Sequence, residues 1–296
     1  MSVESQERRQ QAGEHVGRHA SYGPPATPGQ QYLAITERAL AERWRSLLGW
    51  SLGLAAISSI ELAVYPSVAS SSASWKSMLD AWPEAFRQAF KLDAYTSGPG
   101  FLNAELLSMM FPLALVAVAL GFASGATAAE EERGTADVLL ALPVSRVVVL
   151  LAKATAMVLG VLVVAAAGVA ALIVGAPQVD LDVSSGGLVA GGLMTALLAL
   201  VFGAWGLLVG ALTGSRAAAI GVGMCLALAS FVLNAFAPMA DWLAPWQSAS
   251  PFYWAMHTDA LTEGLDAGMA ALLAAVCLGL VGAAVWAFRR HDLRSR

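Results

Sequence analysis

An all-α integral membrane protein is the fold class predicted by this sequence, on three observations. Only 13 % of the 296 residues are charged and 57 % are hydrophobic, against roughly 25 % charged in a soluble domain. Apolar runs of about 20 residues without an ionisable side chain recur along the chain, the length needed to cross roughly 30 Å of hydrocarbon at about 1.5 Å per residue. These runs mostly lack the polar face that a helix of a large soluble core carries. Six such spans are expected, at about 47–65, 102–127, 147–175, 187–213, 217–238 and 267–288, so residues 47–296 form one transmembrane domain.

Residues 1–30 are rich in Gln, Ser, Gly, Pro, Arg and Glu, and read as a disordered tail with no apolar stretch of the kind a secretory signal has. His15 and His19 have the spacing of a helical metal pair, but no acidic or cysteine side chain converges on them, and a metal site needs three or four ligands. In residues 31–46, Leu33, Leu40, Trp44 and Leu47 share one helix face, with Glu37, Arg38, Glu42, Arg43 and Arg45 around the rest. That pattern predicts an N-terminal amphipathic interfacial helix. Pro66 and the serines at 70–72 are expected to close the first span, and Gly214 to separate the fourth from the fifth. Cys225 and Cys277 lie inside apolar runs, as small buried hydrophobes do.

The distribution of basic residues orients the chain. Fourteen of the 17 Lys and Arg residues fall before the first span, in the second and fourth connections and after the last span. By the positive-inside rule, both termini are cytoplasmic, in a plasma membrane. On the outer side, residues 74–93 carry Trp75, Met78, Leu79, Trp82, Phe86 and Phe90 and predict short interfacial helices. Residues 239–256 hold Trp242, Trp246, Phe252, Tyr253 and Trp254 around Pro245 and Pro251, with Pro238 just before, predicting a broken outer helical segment before the last span.

The second connection, EEERGTADVLLALPVSRVVVLLAK, is the most informative stretch. Gly134 permits a turn, Thr135 can cap a short helix from about Ala136 to Leu142, Pro143 stops it and Ser145 can cap the following helix. Arg146 and Lys153 are expected to keep their charges in water by snorkelling. From pattern alone, this is equally well a helical turn tucked against the bundle.

The run Glu131, Glu132, Gly134, Thr135, Leu139, Leu140, Ala141, Leu142, Pro143, Val144, Ser145 and Arg146, followed by Lys153, resembles the signature of ABC-2-type transporter permeases, the membrane subunits of ABC exporters. Trp82-Pro83 with Phe86, Gly98-Pro99-Gly100-Phe101 and Ser250-Pro251-Phe252 are similar to that family as well, and the resemblance covers about residues 32–290. It implies that Glu131, Glu132, Arg133, Gly134, Thr135, Val138, Leu139 and Leu142 dock a separate ABC ATPase subunit. It also implies that ATP and Mg belong to that partner, and that two permeases pair as a homodimer or with a paralogue. No phosphate-binding G-x-x-x-x-G-K-[ST] loop occurs in the chain, which itself carries no cofactor.

Glu61, Glu105 and Asn234 are the candidates for a translocation path, because an ionisable group at depth costs roughly 2.5–3.5 kcal/mol and must face the bundle or water. The expected cargo is hydrophobic or amphipathic, from the Leu, Val, Ala, Phe and Trp lining such a path; nucleic acid is not an expected partner. Glycines four apart (Gly121 and Gly125, Gly206 and Gly210, Gly210 and Gly214) fit close helix packing, within one subunit or between two. Three other readings share this sequence: a secondary transporter or channel, a membrane enzyme and a non-transporting scaffold of the same fold. Paired mid-membrane charges would favour the first, and H-E-x-x-H or G-x-S-x-G the second; neither pattern occurs.

Overall fold

The computed structural model describes residues 27–89, 92–127 and 145–291, all of whose regular elements are helical. Six helices are long and apolar enough to cross a membrane: Trp44–Ser70, Gly98–Ala126, Val147–Val179, Ser185–Thr213, Arg216–Met239 and Ala267–Arg289. They alternate in direction. One end of the bundle therefore gathers Arg43, Lys153, Arg216 and Arg289, and the other gathers Asp180, Asp182, Asp259 and Asp266; these are the basic and acidic ends below.

The amphipathic helix α1 runs over Pro28–Ala41, beginning inside the stretch expected to be a tail. Its start is set locally, by Pro28 in the first turn and a capping box between Thr27 and Gln30. The packed face includes part of the expected stripe, Leu40 and Leu47, and adds polar contacts. Tyr32 and Thr155 join hydroxyls, and the Thr36 hydroxyl donates to the carbonyls of Tyr32 and, across the interface, Ala152. Thr36 is buried, whereas Leu33 and Trp44 are 60 % and 56 % exposed. Leu40 and Leu47 of the stripe pack against the core, the hydroxyls add polar contacts to the third span, and Leu33 and Trp44 are left outward.

At Glu42–Arg43 the helix breaks, and the first span, α2 (Trp44–Ser70), follows. Pro66 does not close it. The helix runs through Pro66 to Ser70, with Tyr65 and Val68 on either side buried in the core, so packing outweighs the lost backbone bond. The serines at 70–72 do end it. Two short helices follow, α3 (Ser72–Asp80) and α4 (Glu84–Ala89); Leu79 is buried and Trp75 packs on Tyr95, while Met78 and Trp82 face outward.

The second span joins α5 (Gly98–Leu102), a π-helical stretch over Asn103–Met110 and α6 (Phe111–Thr127). The third, α7 (Arg146–Gly175), starts at Ser145 as expected, although the Ser145 side chain makes no capping bond. The fourth, α8 (Ser185–Thr213), is the most buried span and packs on the second, third, fifth and sixth. Its small residues permit this, since lipid tails are as apolar as leucine and close approach decides packing in a membrane. A Cβ at Gly203 would lie 2.7 Å from Met157 Sδ and 2.9 Å from Ala119; one at Gly206 would lie 2.8 Å from Leu120. Gly206 thus serves packing within the chain. Gly214 closes α8 in the left-handed conformation, and Ser215 caps the fifth span, α9 (Arg216–Phe236). The segment before the last span is broken as expected, into 3₁₀ turns at Ala237–Met239 and Ala244–Ala249 and two short helices, α10 (Pro251–Met256) and α11 (Ala260–Glu263). The sixth span is α12 (Ala267–His291).

Candidate functional site

Polar chemistry concentrates at the two ends of the bundle. At the basic end, the second span finishes beside the third, and Lys153 Nζ donates to the carbonyls of Ala126 (3.1 Å) and Gly125 (3.4 Å). A cation there satisfies carbonyls that a helix terminus leaves open and suits the negative end of its dipole. Lys153 therefore braces a helix end. The break after α1 points Arg43 at the same place: its guanidinium lies 4.9 Å from the Phe122 ring centroid, against Gly121 and Gly125. A Cβ at Gly125 would come within 2.4 Å of that guanidinium. Gly121 and Gly125 thus make room for an arginine, a role their spacing did not reveal. Burial, and then the charge of Arg216, push the Arg43 guanidinium below its usual pKa.

The segment between α6 and α7 leaves from this braced end. Glu131, Glu132, Arg133, Gly134, Thr135, Val138, Leu139 and Leu142 lie outside the described residues, as do His15 and His19.

At the acidic end, the π-helical stretch carries Asn103 and Glu105. Widening the helix by one residue re-aims side chains, and such stretches are frequent at functional sites. Asn103 Nδ2 donates to Asp259 Oδ1 at 2.7 Å, and the same oxygen accepts from the Leu261 N–H that opens α11. One carboxylate therefore ties the broken segment to the second span. Beside it lies a cavity of about 20 Å³, lined in part by Asn103, Ser108, Thr195 and Thr258 and large enough for one water. Ser250 and Ser230 join the segment to the fifth span at 2.8 Å, and Gly187 lets the fourth approach the Leu261 backbone.

Of the three candidates for a path, Glu105 lies in the π-helical stretch, which touches the first span that carries Glu61. Glu105 accepts a 2.7 Å hydrogen bond from Tyr95 Oη. Burial, then the bond to Glu105, push the Tyr95 phenol well above its usual range, so it remains a proton donor. Because α2 continues to Ser70, Glu61 sits about 13 Å from the helix end, deeper than a span ending at residue 65 implied. Asn234 belongs to the fifth span, where its backbone carbonyl accepts from Gln247. Sequence reasoning missed Asn103, Asp259 and Tyr95. Asn103 was signalled by being an amide in an apolar run, but its partner lies 156 residues away.

The profile of the family described as ABC-2 family transporter protein matches residues 33–293, nearly all of the chain and every span. No curated protein and no solved structure gives a significant match. Six apolar helices, the broken segment before the last of them and this match agree: the chain belongs to the ABC-2 family and is a membrane permease of an ABC transporter.

Proposed function

We propose that this permease is the membrane subunit of an ATP-driven exporter, working in the plasma membrane with both termini in the cytoplasm. A separate ABC ATPase subunit docks on Glu131–Leu142 and supplies ATP, Mg and hydrolysis. Two permeases pair, as identical or paralogous copies. The family match over residues 33–293 carries the reading. Local geometry supports the docking part: Lys153 and Arg43 stiffen the end of the second span from which that segment leaves. A push on the segment would then be delivered to the second and third spans and to α1, which packs on the third. The cargo is hydrophobic or amphipathic, and Glu61 and Glu105 border its path.

The test is co-purification. Leu139→Asp and Leu142→Asp place a charge in the proposed contact, which is costly to bury without a partner. Each variant should insert normally yet lose the ATPase subunit that accompanies the wild-type chain, and transport should stop; Gly134→Val should act more mildly by restricting the turn. Retention of the ATPase with normal transport in both Leu→Asp variants would show that docking lies elsewhere.

A further inference from the structure

The small cavity beside Asp259 has a polar lining that the bond between Asn103 and Asp259 does not use up. It lies where the second span, the fourth span and the broken segment meet, and Asn103, Ser108, Thr195 and Thr258 are its polar walls. Each of them offers an oxygen. The Asn103 amide nitrogen is engaged by Asp259, which leaves its carbonyl oxygen. The Thr195 hydroxyl donates to the Gly191 carbonyl at 2.8 Å, so its lone pairs remain. The hydroxyls of Ser108 and Thr258 have no partner among the described residues. Charge is unbalanced here as well. Asp259 accepts from Asn103 and from the Leu261 N–H through one oxygen, but forms no ion pair among the described residues. His257, two residues earlier, faces Asp266 at 3.9 Å instead. A partly buried carboxylate one hydrogen bond from a cavity walled by oxygens attracts a cation there. The lining holds no carboxylate of the kind that Ca²⁺ and Mg²⁺ take directly as ligands, whereas neutral oxygens at a broken helix suit a monovalent ion.

We propose that this cavity binds a single Na⁺ ion, which joins the second span, the fourth span and the broken segment. A volume of about 20 Å³ takes one water-sized occupant and nothing larger. The ligands are the Asn103 carbonyl oxygen and the hydroxyls of Ser108, Thr195 and Thr258, and Asp259 supplies the compensating charge from behind Asn103. The site goes beyond the transport reading and stands whatever the permease carries.

The test is equilibrium binding of radiolabelled Na⁺ to the full chain purified in detergent, with choline chloride holding the ionic strength constant. The wild type should bind one ion per chain saturably, and choline, too large for the cavity, should not displace it. Thr195→Val keeps the shape of the side chain and removes one ligand; it should weaken binding about tenfold or more. Asp259→Asn keeps an acceptor for the Leu261 N–H while removing the charge, and should weaken binding to a similar degree. Thr213→Val deletes a hydroxyl that makes the same bond one turn back on the fourth span but lies outside the cavity, so its binding should match the wild type. Ser108 is only half-buried, so Ser108→Ala tests the ligand set even if Thr195→Val misfolds. Absence of saturable Na⁺ binding by the wild type would overturn the proposal and leave the cavity to a water. Wild-type affinity in both Ser108→Ala and Asp259→Asn would overturn it equally, by placing the bound ion elsewhere.

Discussion

The hydrogen bond between Asn103 and Asp259 is expected to fasten the broken segment to the second span, and its worth can be measured. Asn103→Leu removes the donor while keeping the branched shape of the side chain. A hydrogen bond to a charged group in a soluble protein nets about 1.5–3 kcal/mol. Side-chain hydrogen bonds between membrane helices average only about 0.6 kcal/mol, since the unfolded chain in the membrane finds other partners. The ionised acceptor favours the larger value, while the Leu261 N–H that Asp259 keeps limits the loss. A coupling of about 1.5 kcal/mol follows, roughly a tenfold shift in the folding equilibrium. Asp259→Ala also removes the cap of α11, worth about 0.5–2 kcal/mol more, so it should be the more harmful single change. The double variant should be no worse than Asp259→Ala. Unfolding by SDS in mixed micelles, followed through the fluorescence of the nine tryptophans, yields the full cycle. If the two changes add within about 0.5 kcal/mol, the bond does not couple the elements and the fastening is wrong.

Gly187→Ala puts a Cβ 2.2 Å from the Leu261 carbonyl oxygen and should cost about 1–3 kcal/mol in the same assay, whereas Gly186→Ala, with open space around it, should be near neutral. Glu61→Gln should alter transport rate or cargo preference in vesicles while expression and assembly stay normal; unchanged kinetics across a cargo panel would remove Glu61 from the path. For topology, a cysteine at Ser72, in a chain with Cys225 and Cys277 replaced, should react with an impermeant maleimide on intact cells. Labelling only after permeabilisation would reverse the orientation.

How much was legible in the sequence depends on the type of signal. Gly214 acts within a turn or two of the backbone, and the helix break it makes was readable from residue type. Pro66 was read by the same local logic and misled, because burial of Tyr65 and Val68 on either side of it holds the helix together. Of the Leu33, Leu40, Trp44 and Leu47 stripe, Leu40 and Leu47 pack on the core, while the hydroxyl bonds of Tyr32 and Thr36 to the third span were not legible in the pattern.

By itself the sequence determined the number, order and alternation of the spans, the broken segment before the last one and the separation of basic from acidic ends. A bilayer imposes this through length and hydropathy alone, filtering residues along one dimension. Tertiary structure decided which faces meet. Leucine gains nearly as much from lipid as from protein, so apolar periodicity does not say which side of a span is buried. Small residues and polar pairs settle that instead. The fourth span becomes the centre through Gly203 and Gly206, Arg43 finds its place through Gly121 and Gly125, and Asn103 meets a carboxylate 156 residues further along the chain.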